Sequence, residues 1–83
     1  MLQPRIISVQ AMPDMKLLLK YETGEIKMFD VSPYANGSWF GKLKDKTYFN
    51  AVKLLHDGTG IEWPDGQDLA PHELYELSIP YEV

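Results

Sequence analysis

Gly60 to Tyr75 reads GIEWPDGQDLAPHELY, and the order of its signals sets how the chain closes. Ile61 and Trp63 alternate with Glu62, as in a strand with one buried face. Pro64 removes a backbone donor and Asp65-Gly66 supplies a turn pair, so the strand is expected to end at Trp63. Glu73, Leu74 and Leu77 follow at helical spacing. Two starts are open for that helix: Asp68 as the cap, or Ala70 with Pro71 in the first turn, where a missing N–H costs little. Strand, tight turn, cap and short helix in succession describe a chain folding back over a sheet.

The pattern W-P-x-G-x-D-L-x-P-x-x-L-Y in this stretch is carried by Trp63, Pro64, Gly66, Asp68, Leu69, Pro71, Leu74 and Tyr75. It resembles the C-terminal signature of the small bacterial family known as domain of unknown function 2442. The first half fits as well, with F-D-V-S-P at Phe29 to Pro33, F-x-x-L at Phe40 to Leu43 and the Tyr48-Phe49 pair, so the resemblance runs from about Pro4 to Tyr75. It implies a compact α+β domain of no established activity. It also implies genes that often lie beside that of another small protein, and members with a helix-turn-helix appended after this region. The sequence ends at Val83, so no such appendage is expected here.

Upstream, Arg5 to Met12 reads as a first strand with Ile7 and Val9 on one face and Ile6 and Ser8 on the other, closed by Pro13-Asp14. Met15 to Tyr21 places Leu17, Leu19 and Tyr21 together. Ile26 to Val31 sets Ile26 and Met28 against Lys27, Phe29 and Val31. Thr23-Gly24 joins the last two as a hairpin, with Gly24 free to take positive φ. An antiparallel meander is the expected result. Ser38 is placed to cap a short helix over Trp39 to Leu43. Phe49 to Leu55 then returns to strand character with Val52 and Leu54 on one face, and His56-Asp57-Gly58-Thr59-Gly60 connects it to Ile61 as a second hairpin. The expectation is one α+β domain over residues 1–83: a mainly antiparallel sheet of about five strands, meander plus hairpin, with two short helices packed on it. Residues 79–83 form a tail that packs on the edge or stays loose.

A chain of 83 residues has room for one core and buries only about 60 to 65% of its unfolded surface. Without cysteine, disulfides, thiolate metal sites and cysteine nucleophiles are excluded, in keeping with a reducing cytoplasm. No apolar run is long enough to span a membrane, and the N-terminus lacks the apolar core of a signal peptide. A soluble cytoplasmic protein is expected. Twelve acidic against eight basic residues give a net charge of -4, which disfavours a nucleic-acid groove or an anionic membrane as partner.

Chemistry-bearing residues gather on two loops: His56, Asp57, Glu62, Asp65, Asp68, His72 and Glu73. Their spacing matches no compact ligand motif, and turn and cap duties explain the aspartates, so no metal or other cofactor is expected. The hydroxyls Thr23, Ser32, Ser38, Thr47, Thr59 and Ser78 sit in turns without a catalytic motif, and Gly58-Thr59-Gly60 is only a G-x-G in a turn. No enzymatic activity is expected. The remaining class is an interaction module, a small adaptor for a protein partner or a homo-oligomer, in keeping with one member of a two-gene pair. The surface around Trp63, Asp65, Asp68 and Tyr75 is its candidate site. Against that stands a purely structural reading in which Trp63 and Tyr75 are core residues and Asp68 caps the helix. In that case Asp68→Ala costs about 0.5 to 2 kcal/mol of stability. The rival from another class is a nucleic-acid regulator using Lys42, Lys44 and Lys46, together with Arg5 and the neighbouring aromatics Trp39 and Tyr48; it requires those cations on one face.

Overall fold

The computed structural model describes residues 4–55 and 60–81. Three strands open the chain: β1 (Ile6–Met12), β2 (Lys16–Tyr21) and β3 (Ile26–Asp30). They form the expected antiparallel meander, with Leu17 opposite Phe29 and Leu18 opposite Met28. Gly24 turns the second hairpin with φ 94°, which an L side chain rarely adopts. Inward alternation puts Leu17, Leu19, Tyr21 and Phe29 in the core.

In β1 the alternation breaks. A bulge between Ile6 and Ser8 shifts the register, so Ile6 is buried while Ile7 is 60% exposed. The expected pairing of Ile7 with Val9 on one face therefore fails: the extra residue flips the side chains before it to the opposite face.

After β3, a helical segment replaces the single expected helix over 39–43. It runs through α1 (Gly37–Phe40), a 3-10 turn at Gly41–Lys44 and α2 (Lys46–Phe49). Ser38 is not the cap; Asn36 holds that position, without a side-chain hydrogen bond. The cap the chain does build is Asp45, whose carboxylate accepts from the N–H groups of Thr47 and Tyr48. That cap is why Phe49 lies in a helix and not, as expected, in a strand running to Leu55. Only Lys53–Leu54 is strand here, as β4.

The second hairpin forms between β4 and β5 (Ile61–Glu62), closed by the Leu55 N–H donating to the Gly60 carbonyl. Residues 56–59 lie outside the described residues. Beyond the 64–66 turn the chain makes a further short strand, β6 (Asp68–Leu69), paired with β5, before α3 (Pro71–Leu77). The chain then returns as β7 (Ile79–Pro80) along β3.

The architecture is α+β with two antiparallel sheets, ordered β1-β2-β3-β7 and β4-β5-β6. Seven strands among the described residues exceed the five expected, because the two-residue strands β6 and β7 carry too little alternation to register as strands in the sequence. One apolar core joins both sheets, with Leu43 and Phe49 of the helical segment and Leu74 of α3 meeting Ile61, Trp63 and Leu69.

Candidate functional site

The signature turn is a junction between the second sheet and α2. Trp63 is fully buried and its indole N–H donates to the Phe49 carbonyl at 3.0 Å. Its own backbone carbonyl accepts from Gly66, and the Gln67 carbonyl accepts the Trp63 N–H at 2.9 Å. Gly66 sits at φ 99°, so glycine there is a backbone requirement. Gln67 is completely buried, and its side-chain oxygen accepts from the Tyr48 hydroxyl at 2.7 Å. The same hydroxyl accepts from the Asp65 N–H at 2.8 Å. Tyr48 therefore ties both halves of the turn to α2, and Lys42 reinforces the tie by pairing with the Asp65 carboxylate.

This geometry divides the four residues of the candidate surface. Trp63 belongs to the core and presents nothing to a partner. Asp65 and Asp68 are exposed. Asp68 does not cap α3: the cap position is Ala70, with Pro71 next, and Asp68 lies in β6 directly opposite Glu62. Two carboxylates thus face each other across the strand pair, with Lys53 3.8 Å from Glu62 on the neighbouring strand.

Tyr75 is half-buried in a second polar group on the inner face of the four-stranded sheet. Its hydroxyl donates to both oxygens of Glu25 at 2.9 Å, and Lys27 lies 3.9 Å over its ring while donating to its backbone carbonyl. Hydrogen bonds from Thr23 and then Tyr75 hold the Glu25 carboxyl below its usual range, and the same bond to Glu25 raises the Tyr75 hydroxyl. Tyr21 packs edge-on against Tyr75, with ring centres 5.1 Å apart. Its hydroxyl is buried with no hydrogen-bond partner among the described residues, and burial pushes it up to about 12.

The nucleic-acid reading names four cations, Arg5, Lys42, Lys44 and Lys46. Lys42 is engaged by Asp65, while Arg5 precedes β1 and bonds through its backbone N–H to Glu22, at the opposite end of that strand from Lys44 and Lys46. A seven-residue strand separates those ends by roughly 20 Å. Tyr48 has its hydroxyl committed to the turn; the Trp39 side chain lies outside what is described. His72 is exposed on α3, and His56, Asp57 and Thr59 lie outside the described residues.

Sequence reasoning missed Gln67, Glu25 and Lys27. Only Lys27 was within reach of strand alternation, two residues before Phe29 on the inward face of β3; Glu25 and Gln67 sit in turns just ahead of β3 and β6, where no alternation marks them. No helix among the described residues is long and apolar enough to cross a membrane. Comparison with curated proteins and with solved structures gives no match. A family model described as protein of unknown function, DUF2442, matches residues 6–80, and the chain belongs to that family.

Proposed function

We propose that this chain is a non-catalytic docking module of the cytoplasm, an adaptor that takes a basic protein partner on the outer face of its four-stranded sheet. The observation carrying this reading is the apolar row across that face. Leu18, Met28 and Ile79 stand opposite one another on β2, β3 and β7, flanked by Ile26, and none of them belongs to the core. Ile79 is 65% and Tyr81 39% exposed, and Leu18, Ile26 and Met28 are half-buried beside them. Exposed apolar side chains gathered at one place mark contact surfaces more often than singly scattered ones do.

The edge of the same sheet favours face-on contact over strand addition. Tyr81 donates its N–H to the Ile26 carbonyl, so Ile79 and Tyr81 direct their backbone groups toward β3 and Pro80 turns away. At that outward position proline has no N–H to offer an incoming strand. The net charge of -4 attracts a basic protein at long range and repels a second copy of the chain. The gene-neighbour tendency that the family resemblance implies makes the product of an adjacent gene the first partner to test.

The test is capture from host extract with the wild-type chain and with the double variant Met28→Glu, Ile79→Glu. The captured protein is then purified and titrated against both by calorimetry. One stoichiometric partner, bound at least about tenfold more weakly by the variant, is the expected result. An empty capture by a monomeric bait overturns the reading, as does equal binding by the variant. A homodimer in light scattering that the variant dissolves would replace the foreign partner with a second copy.

A further inference from the structure

A groove of about 420 Å³ lies between the β1–β2 turn and the helical segment, on the opposite side of β1 and β2 from the outer sheet face. Its apolar lining comes from Met12 and Met15 on the turn side and Leu43 and Phe49 on the helical side. Lys44 and Lys46 stand on its helical rim and Asp14 on its turn rim, all three exposed. The volume falls within the range of small-molecule clefts, and two methionines give an adaptable, polarisable wall.

The turn rim is held in an unusual shape. Asp14 and Met15 both take left-handed backbone conformations, φ 63° and 59°, which cost non-glycine residues energy and persist only where the surroundings hold them. Here the Met15 carbonyl accepts the Val31 N–H at 2.9 Å, fixing the turn to the end of β3 and directing the Met15 side chain onto the core. The groove is thus preformed. Its charge is one positive in net, two lysines against one aspartate, over an apolar floor.

From this combination we infer that the groove binds an apolar monocarboxylate, a small organic acid with an aryl or branched alkyl body. The body lies against Met12 and Met15, above the buried Leu43 and Phe49, and the carboxylate is held at the rim by the ammonium groups of Lys44 and Lys46. A neutral apolar compound leaves the lysines unused. A dianion such as a phosphate monoester meets Asp14 and an apolar floor.

The probe is sodium phenylacetate, titrated into the nitrogen-15-labelled chain and followed by amide chemical shifts, with phenylacetamide as its uncharged counterpart. Saturable shifts confined to residues 11–15 and 43–50 are expected, with phenylacetamide binding about tenfold more weakly. Lys44→Gln with Lys46→Gln, both exposed, is expected to leave the urea midpoint unchanged and to reduce phenylacetate to the affinity of the amide. Three results would each overturn the assignment: no saturable shift at concentrations on the order of 10 mM, equal binding of acid and amide, or shifts centred elsewhere. An unaltered affinity in the double lysine variant would remove the carboxylate contact and with it the proposal.

Discussion

The two sheets solve the problem of a small core in different ways. In the four-stranded sheet, strands of seven, six and five residues alternate apolar side chains inward, and cross-strand pairs such as Leu17 with Phe29 hold it together. In the three-stranded sheet each strand is two residues long, too short for such pairs to accumulate. Its cohesion comes instead from directed hydrogen bonds: Trp63 to the Phe49 carbonyl, and Tyr48 to Gln67 and Asp65. One tyrosine hydroxyl stands at a decisive place beside each sheet. Tyr48, on α2 against the short sheet, has two partners, while Tyr21 in the long sheet has none among the described residues. A long sheet tolerates an unpaired hydroxyl because apolar area outweighs it; a short one has no such reserve.

The same substitution at the two tyrosines tests that difference. Tyr48→Phe strips a partner from the buried Gln67 side chain and from the Asp65 N–H, and a lost bond to a buried polar group costs about 1 to 3 kcal/mol. A fall of this size in urea-unfolding stability is expected, large for a domain this small. Tyr21→Phe removes a buried hydroxyl that gains nothing, so stability is expected to rise by up to about 1 kcal/mol. The alkaline limb gives a second readout. The folded state holds the Tyr21 proton more tightly than the unfolded chain, with a value near 12 against the ordinary 10.0, so its contribution is intact below pH 10 and is lost as pH climbs toward 12. Tyr21→Phe should flatten that decline in a pH series of urea midpoints. Equal and same-signed effects at the two positions would break the comparison.

How much of this was legible in the sequence follows the same division. The meander could be read directly, since Leu17, Leu19, Tyr21, Phe29 and Val31 keep strict alternation over whole strands. The turn at Asp65-Gly66 and the helix after Pro71 were also legible, because glycine and proline constrain the backbone locally. The failures lie where a single residue outweighs a pattern. The bulge before Ser8 cannot be seen in IISV, which alternates equally well in either register. The Asp45 cap turns Lys46–Phe49 into a helix although Tyr48, Phe49 and Val52 have strand propensity. In the candidate surface the acidic pair is exposed, while Trp63 has its large ring inside, a position fixed by the Phe49 carbonyl, 14 residues away in sequence.

Asp68 supplies the smallest and sharpest test. As a helix cap it would be worth about 0.5 to 2 kcal/mol, lost on replacement. In β6 it faces Glu62 directly, and like charges opposite each other on a strand pair are destabilising by a fraction of a kcal/mol, with Lys53 compensating only on the Glu62 side. Asp68→Asn removes the repulsion while keeping the side chain's size. Stability is expected to rise by about 0.2 to 0.5 kcal/mol at low salt, and the gain should shrink toward zero near 1 M salt, where the screening length falls to about 3 Å. A loss of stability independent of salt would mean that the carboxylate holds backbone N–H groups after all, and that the short sheet depends on Asp68 as it depends on Tyr48.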